Sequence, residues 1–455
     1  MKVLFRLGTR RSIQGHAAGT YDLDADDLLT HAVITGMTGS GKTGLLVVMI
    51  EEALRNGIPV LVIDVKGDLA NLLLAFRNFD PALMAPWVEA ARGDADGVAD
   101  PAQVQAAVDK RRRELAASSI DEKVLAEYAD KTHIRIITPG SDAGEQLHLL
   151  SALERPSTRW QDDLDGARNA LGAAVSMVLG LIGRESDPGK SREHALLSML
   201  AERRLCAGQS ADLPSLLPEV IEPPLAEIGA LPVESYIGEK QRAELAADLN
   251  NLIASPLFMR WRQGLDLDVA SWMAPVEGKT TATIISVAHL EEGVRSVVLG
   301  LVLGGALGWV RSLPGTSRLR AILAFDEVYG FIPPHPKSPP TKPPLVALLK
   351  QARAYGVGCV LATQNPMDLD YRALSNAGTW PLGRLQTDAD RARVLDGLGE
   401  DKKKSTIAKL LKKIGPMFFV VRGARGELSV LQPRWAMSLL KGPMTPKEIK
   451  RASGR

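Results

Sequence analysis

Apolar residues form short unbroken runs in two regions of the chain and take helical spacing in the stretch between. Residues 31–35 (HAVIT) and 60–64 (VLVID) stay apolar almost to their ends, as strands buried on both faces require. Residues 43–56 between them carry apolar positions at helical spacing, and Gly57 closes that helix. The three segments predict a strand–helix–strand unit of a parallel sheet. The same character returns in residues 281–287 (TATIISV), 319–325 (LRAILAF) and 357–363 (VGCVLAT), with helical stretches between them. Residues 379–386 predict a further strand. Residues 417–421 and 427–431, around the turn Arg422-Gly423-Ala424-Arg425-Gly426, predict a β-hairpin.

The middle of the chain differs. Residues 102–117, 160–182, 192–206 and 240–254 have helical spacing, and only residues 134–138 (IRIIT) interrupt them as a strand. The pattern predicts an α/β fold, a parallel sheet flanked by helices with a large, mostly helical insertion. Residues 1–90 are expected to form the first part of the core, 91–275 the insertion and 276–400 the second part of the core. A basic C-terminal helix, hairpin and tail are expected over 401–455. Seven prolines within residues 333–344 predict a stiff extended connector.

Composition changes this picture little. A hydrophobic fraction of 45% and a charged fraction of 24% suit a globular protein, and 5% aromatic residues argue against base-stacking platforms. Two cysteines, Cys206 and Cys359, suggest a reducing compartment without a disulfide framework. The longest apolar run, residues 297–310, falls short of the ~20 residues a membrane span needs, so it is expected to be a buried helix. The opening residues lack a secretory signal. The expectation is a cytoplasmic protein with no membrane contact. The net charge is only +2, yet residues 401–455 hold 14 Lys or Arg against three acidic residues. That tail, including Lys402, Lys403, Lys404, Lys412 and Lys413, reads either as a nucleic-acid footprint or as a solvated terminus.

The chemistry is concentrated at strand ends. Gly36-Met37-Thr38-Gly39-Ser40-Gly41-Lys42-Thr43 matches GxxxxGK[ST], directly after a strand and opening a helix. In such a loop successive backbone N–H groups, with Thr38, Gly39, Ser40 and Gly44 around them, turn toward phosphate oxygens, and the helix N-terminus adds partial positive charge. Lys42 reaches the β- and γ-phosphates of ATP, and the Thr43 hydroxyl ligates Mg²⁺. A carboxylate at a neighbouring strand end must complete the metal site. Asp64 (in Asp64-Val65-Lys66-Gly67) and Asp326-Glu327 both qualify. Only the second pairs an Asp for the metal with a Glu able to act on the attacking water, and no NKxD guanine motif occurs in the chain. Asp326 is therefore assigned to Mg²⁺, Glu327 to general base, and Asp64 to a supporting place in the nucleotide site. Gln364 ends the next strand, where an amide can sense the γ-phosphate. Arg353 precedes that strand and is a candidate to act across a subunit interface. Arg384, in Gly383-Arg384-Leu385, is a second basic candidate.

With these residues in place the chain resembles the HerA–FtsK family of RecA-like ATPases, over residues 28–87 and 281–398. The sharpest likeness is QARAYGVGCVLATQNP, residues 351–366, similar to the family's helix-plus-sensor segment, in which the arginine acts in trans and the glutamine senses phosphate. The resemblance implies a homohexameric ring, ATP with Mg²⁺, and double-stranded DNA threaded through a pore. Archaeal HerA proteins dock a nuclease on an N-terminal β-barrel. Only 35 residues precede Gly36 here, so a nuclease or another effector remains an open partner. Val328-Tyr329-Gly330 replaces the Ala-His that commonly follows the acidic pair in HerA. Two other readings stand beside the DNA motor: a relative of type IV secretion ATPases acting on protein, and a slow ATP-operated switch.

Overall fold

The computed structural model describes residues 2–12, 16–88, 100–157, 159–364, 369–370, 374, 377–385, 387–397 and 404–454. Its centre is one eleven-stranded sheet. The strands, in chain order, are β1 (Leu4–Arg11), β2 (Ala17–Asp24), β3 (Ala32–Thr35), β4 (Val60–Asp64), β5 (Thr132–Ile137), β6 (Thr280–Ser286), β7 (Thr316–Asp326), β8 (Tyr355–Thr363), β9 (Trp380–Leu382), β10 (Phe419–Arg422) and β11 (Leu428–Pro433). In space they run β2-β1-β11-β10-β9-β3-β8-β7-β4-β6-β5. The seven strands from β9 to β5 are parallel, and the rest of the sheet is antiparallel.

Alternation along these strands feeds two separate cores. Val33, Leu61, Ile63, Leu323 and Phe325 face one layer, while Ile34, Val60, Val62, Ile322 and Ala324 face the other. Both faces are covered, which is why the strands read as unbroken apolar runs. The second layer holds helix α1 (Lys42–Arg55), α2 (Pro101–Ala116) and α3 (Glu122–Lys131). The first layer holds α4 (Leu164–Leu181), α5 (Arg192–Cys206), α6 (Leu213–Ile221), α7 (Glu239–Ile253), α8 (Glu292–Ser312) and α9 (Lys342–Gln351). Caps set several starts: Asp100 and Gln103 form a capping box before Pro101, and Asp121, Asp163, Ser191 and Asp212 each accept a backbone N–H.

Three expectations change, and two strands are new. The stretch 91–275 is not one insertion, because β5 pairs in register with β6 along the sheet edge. The helices before β5 and those after it lie on opposite faces, and the helical excursion proper runs from β5 to β6. The C-terminal hairpin is not an appendage either: β10 pairs with β9 and β11 with β1, so the hairpin lies inside the sheet. Strands β1 and β2, the last two at one side of the sheet, escape a pattern search because they mix charged, glycine and half-exposed positions. Finally, α8 spans 21 residues, longer than its apolar run, because the polar turn Glu292–Arg295 begins it. By length and hydropathy (1.7) it is the one helix among the described residues that could cross a membrane, yet here it packs on α4 and α9. Gly300 lets the proline-rich connector pass close to α8, since a Cβ there would sit 2.8 Å from Pro340. The last two prolines of the connector, Pro343 and Pro344, open α9.

Candidate functional site

Strand β3 ends at Thr35, level with Thr363 of β8 and Leu382 of β9. The loop that follows is tied down by its backbone: Gly36 N–H donates to Thr363 O, Met37 N–H to Arg384 O and Ser40 N–H to Met37 O. Gly41 turns the chain into α1 with φ at 96°, a left-handed backbone that favours glycine, and the Met417 sulfur lies 2.7 Å from where a Cβ would stand. The Lys42 ammonium donates to Met37 O at 3.0 Å across the loop. Burial lowers its pKa, against the pull of Glu327 and Asp326. A bound polyphosphate would offset that burial with opposite charge.

Three strand ends meet this loop. The Thr43 hydroxyl donates to Asp326 Oδ2 at 3.1 Å, which joins the two expected metal ligands. Asp326 is 4% exposed, and burial raises its carboxyl pKa. Glu327 follows with φ at +58°, a backbone that costs a non-glycine residue about 1–3 kcal/mol and that recurs where side chains must be aimed. One of its carboxylate oxygens accepts from Gln364 N–H at 3.4 Å and the other pairs with Lys66 Nζ at 2.9 Å. The Gln364 amide oxygen accepts the Thr38 hydroxyl at 2.8 Å. Thr35 Oγ1, Ser40 Oγ and Asp64 Oδ2, all buried, have no hydrogen-bond partner among the described residues. Such orphaned polar atoms around a glycine loop suit a polar ligand. Thr43 and Asp326 would hold Mg²⁺, which usually takes few protein ligands and keeps water and phosphate for the rest.

Asp64 stands level with Asp326 on the neighbouring strand but is fully buried. Its Oδ1 accepts Gly67 N–H at 2.8 Å, closing the turn after β4, and burial pushes its pKa up to about 7. It lies beneath the site. Arg384 is exposed beside the loop, and its carbonyl anchors Met37. Arg353 is not brought to the site at all. It is exposed in a short 3-10 turn, Ala352–Ala354, ahead of β8, whereas Gln364 follows β8. Nine strand residues separate them by roughly 30 Å. That turn is pinned through His31: Cys359 N–H donates to Nδ1, which leaves Nε2 to donate to Leu349 O. Burial lowers the His31 pKa to about 4, so the ring is neutral. Asn365, Pro366, Gln386, Lys402 and Lys403 lie outside the described residues.

Sequence reasoning missed Lys66, whose partner Glu327 lies 261 positions away. It also missed an ionic cluster behind α1. Arg434 bridges Glu51 at 2.9 Å and Glu52 at 3.0 Å, and Met437 N–H and Ser438 N–H donate to Glu51. The only hint was a pair of acids on an otherwise apolar helix. Other tail cations are also paired: Arg425 with Asp24 and Asp27, Lys441 with Glu448, Lys450 with Asp142. The tail is thus less of an open basic surface than its composition suggests. One surface recess of about 510 Å³, lined by Phe79, Arg112 and Ile120, lies apart from these strand ends.

Residues 14–134 match the family model described as Helicase HerA, central domain. Over that stretch the chain is similar to the HerA central domain. The match runs through α2 and α3 and ends within β5, further than the stretch ending at residue 87 expected from sequence. Among solved structures, the fold is similar to VirB4 of Thermoanaerobacter pseudethanolicus (TM-score 0.54, 14% identity, 94% of this chain and 96% of that one). It is also similar to the plasmid coupling protein TrwB in complex with the ATP analogue ADPNP (TM-score 0.52, 12% identity, 98% of each chain). A third likeness is the unbound bacterial conjugative coupling protein TrwBdeltaN70 (TM-score 0.51, 13% identity, 96% of this chain and 91% of that one). At these identities the likeness is one of fold. A comparison with curated proteins returns no match.

Proposed function

We propose that this chain is a Mg-ATP-driven motor that works in the cytoplasm as a homohexameric ring and translocates or remodels double-stranded DNA. The observation that carries the reading is the division of the site. Lys42, Thr43, Asp326, Glu327 and Gln364 converge at the C-terminal ends of the central strands, while Arg353 is exposed at the N-terminal end of β8. Such a place suits an arginine that acts on a neighbouring subunit's phosphates rather than its own, which supports the ring reading.

Within the site, Lys42 and the loop N–H groups hold the β- and γ-phosphates of ATP. Mg²⁺ held by Thr43 and Asp326 supplies charge neutralisation on the phosphate oxygens. Glu327 accepts a proton from the attacking water, and the Gln364 amide orients that water. The match to the HerA central domain supports DNA as the substrate. Turnover by the full chain, measured with and without long duplex at low salt, tests this. Duplex is expected to accelerate hydrolysis, with binding that falls as salt rises. Turnover indifferent to duplex removes the DNA reading and leaves the ATPase. That outcome is what the second reading, a secretion-type ATPase acting on protein, predicts. The near full-length fold likeness to VirB4 and to a conjugative coupling protein fits this alternative as well as the DNA reading.

A further inference from the structure

The residues described so far account for the polyphosphate and leave the nucleoside without a seat. Thr38, Gln364 and Glu327 mark the end of the loop where the γ-phosphate belongs. A chain of phosphates laid along the loop N–H groups then runs toward the first turn of α1, so the base leaves past Thr43 and Gly44. A second segment of the protein crosses at that place. Residues 434–444 continue from β11 and are tied at both ends. At one end are the Arg434–Glu51–Glu52 cluster and the two N–H groups given to Glu51. At the other end Leu439 N–H donates to Leu74 O at 3.1 Å, Asn71 Nδ2 to Gly442 O at 2.8 Å and Met444 N–H to Gly67 O at 3.2 Å.

Leu440 lies within the second set of ties. It is 41% exposed, although the backbone around it is fixed, and its Cδ1 lies 4.0 Å from where a side chain on Gly44 would begin. Met417 borders the same loop at Gly41, with its N–H given to Ser40 O. The neighbouring charge is engaged elsewhere, since Lys441 pairs with Glu448 and lies over the Trp87 ring. An exposed leucine on a doubly tied segment beside the exit of a phosphate loop is a surface prepared for a flat apolar group.

We propose that Leu440 and Met417 form the base side of the nucleotide site, an apolar surface on which the purine ring lies. This rests on the P-loop reading above. A surface of that kind grips the ring face and leaves its edge unread, so ATP and GTP should bind with affinities within about tenfold of each other.

The test compares binding of ATP with binding of inorganic tripolyphosphate, both with Mg²⁺, to the full chain and to Leu440→Ala and Leu440→Met. Leu440→Ala should weaken ATP binding roughly 4- to 10-fold, the scale for losing about half of a leucine's burial. Tripolyphosphate, which has no base, should bind that variant as it binds the unaltered chain. Leu440→Met should restore most of the ATP affinity, and in turnover the alanine variant should raise KM with kcat unchanged. Unchanged ATP affinity in Leu440→Ala overturns the proposal. So does an equal loss for both ligands, which would mean that the segment only supports the loop. If the unaltered chain bound neither ligand, the P-loop reading itself would fall.

Discussion

The two ends of helix α1 handle their polar groups in opposite ways. At the N-terminal end Lys42 is buried with a backbone carbonyl for a partner, Thr35 and Ser40 keep orphaned hydroxyls, and Glu327 holds a left-handed backbone. At the other end Glu51 and Glu52, almost wholly inaccessible to water, are met by Arg434, Met437, Ser438 and Arg6 N–H with no carboxylate oxygen left over. The first arrangement is costly by itself and makes sense only with a charged ligand. The second is complete within the fold. The helix is thus a rigid piece whose back is closed and whose front is left for chemistry.

The largest effect should come from the front. Lys42→Ala is expected to abolish phosphate release, because the γ-phosphate loses its main cation, while the protein remains folded by circular dichroism. Unfolding of that variant would move Lys42 to the structural side of the comparison. Next, Glu327→Gln should retain ATP binding and slow turnover by ~10²-fold or more. Mixing those subunits with Arg353→Ala subunits should restore part of the activity at interfaces that combine an intact Glu327 with an intact Arg353. A fully active monomer would break the ring reading outright.

The back should respond in stability alone. Arg434→Ala strands two buried carboxylates and is expected to cost about 3–5 kcal/mol in urea unfolding, the scale for breaking a buried ion pair from one side. A loss under about 1 kcal/mol would show that water reaches the cluster. The last effect concerns Asp64, which sits beside the front yet behaves like the back. Its carboxyl is raised from the ordinary 3.8 to about 7 by burial. Below about pH 4 it is neutral in both the folded and the unfolded chain. Between about pH 4 and 7 only the unfolded chain releases the proton, so stability falls as pH rises through that window and levels off above it. Asn stays neutral throughout, so the melting-temperature advantage of Asp64→Asn, measured without nucleotide, should grow from pH 4 to 7 and then hold constant. An advantage independent of pH would mean that Asp64 titrates normally in the fold.

The same division governs what the sequence discloses. The front is legible because its parts are contiguous words: a glycine loop between strand and helix, an acidic pair closing LRAILAF, a glutamine closing VGCVLAT. The back is illegible because Arg434 finds Glu52 across 382 positions, and no local pattern announces such a partner. Lys66 is the instructive intermediate, being two residues past Asp64 yet meaningful only once β4 and β7 lie side by side. The seven parallel strands announce themselves through burial on both faces, except that β5 was left to the insertion. The outermost β1 and β2 escape because half their positions face solvent.

The pairing of β1 with β11 has a consequence for how the protein is made. Synthesis proceeds from the N-terminus, so the glycine loop and α1 leave the ribosome hundreds of residues before Arg434 and β11. Until those arrive, β1 lacks its inner neighbour, and Glu51 and Glu52 lack their cation. Sequence-distant pairing of this kind is slow to form. The nascent chain therefore carries the phosphate-binding loop early but completes the scaffold that steadies it only at the end.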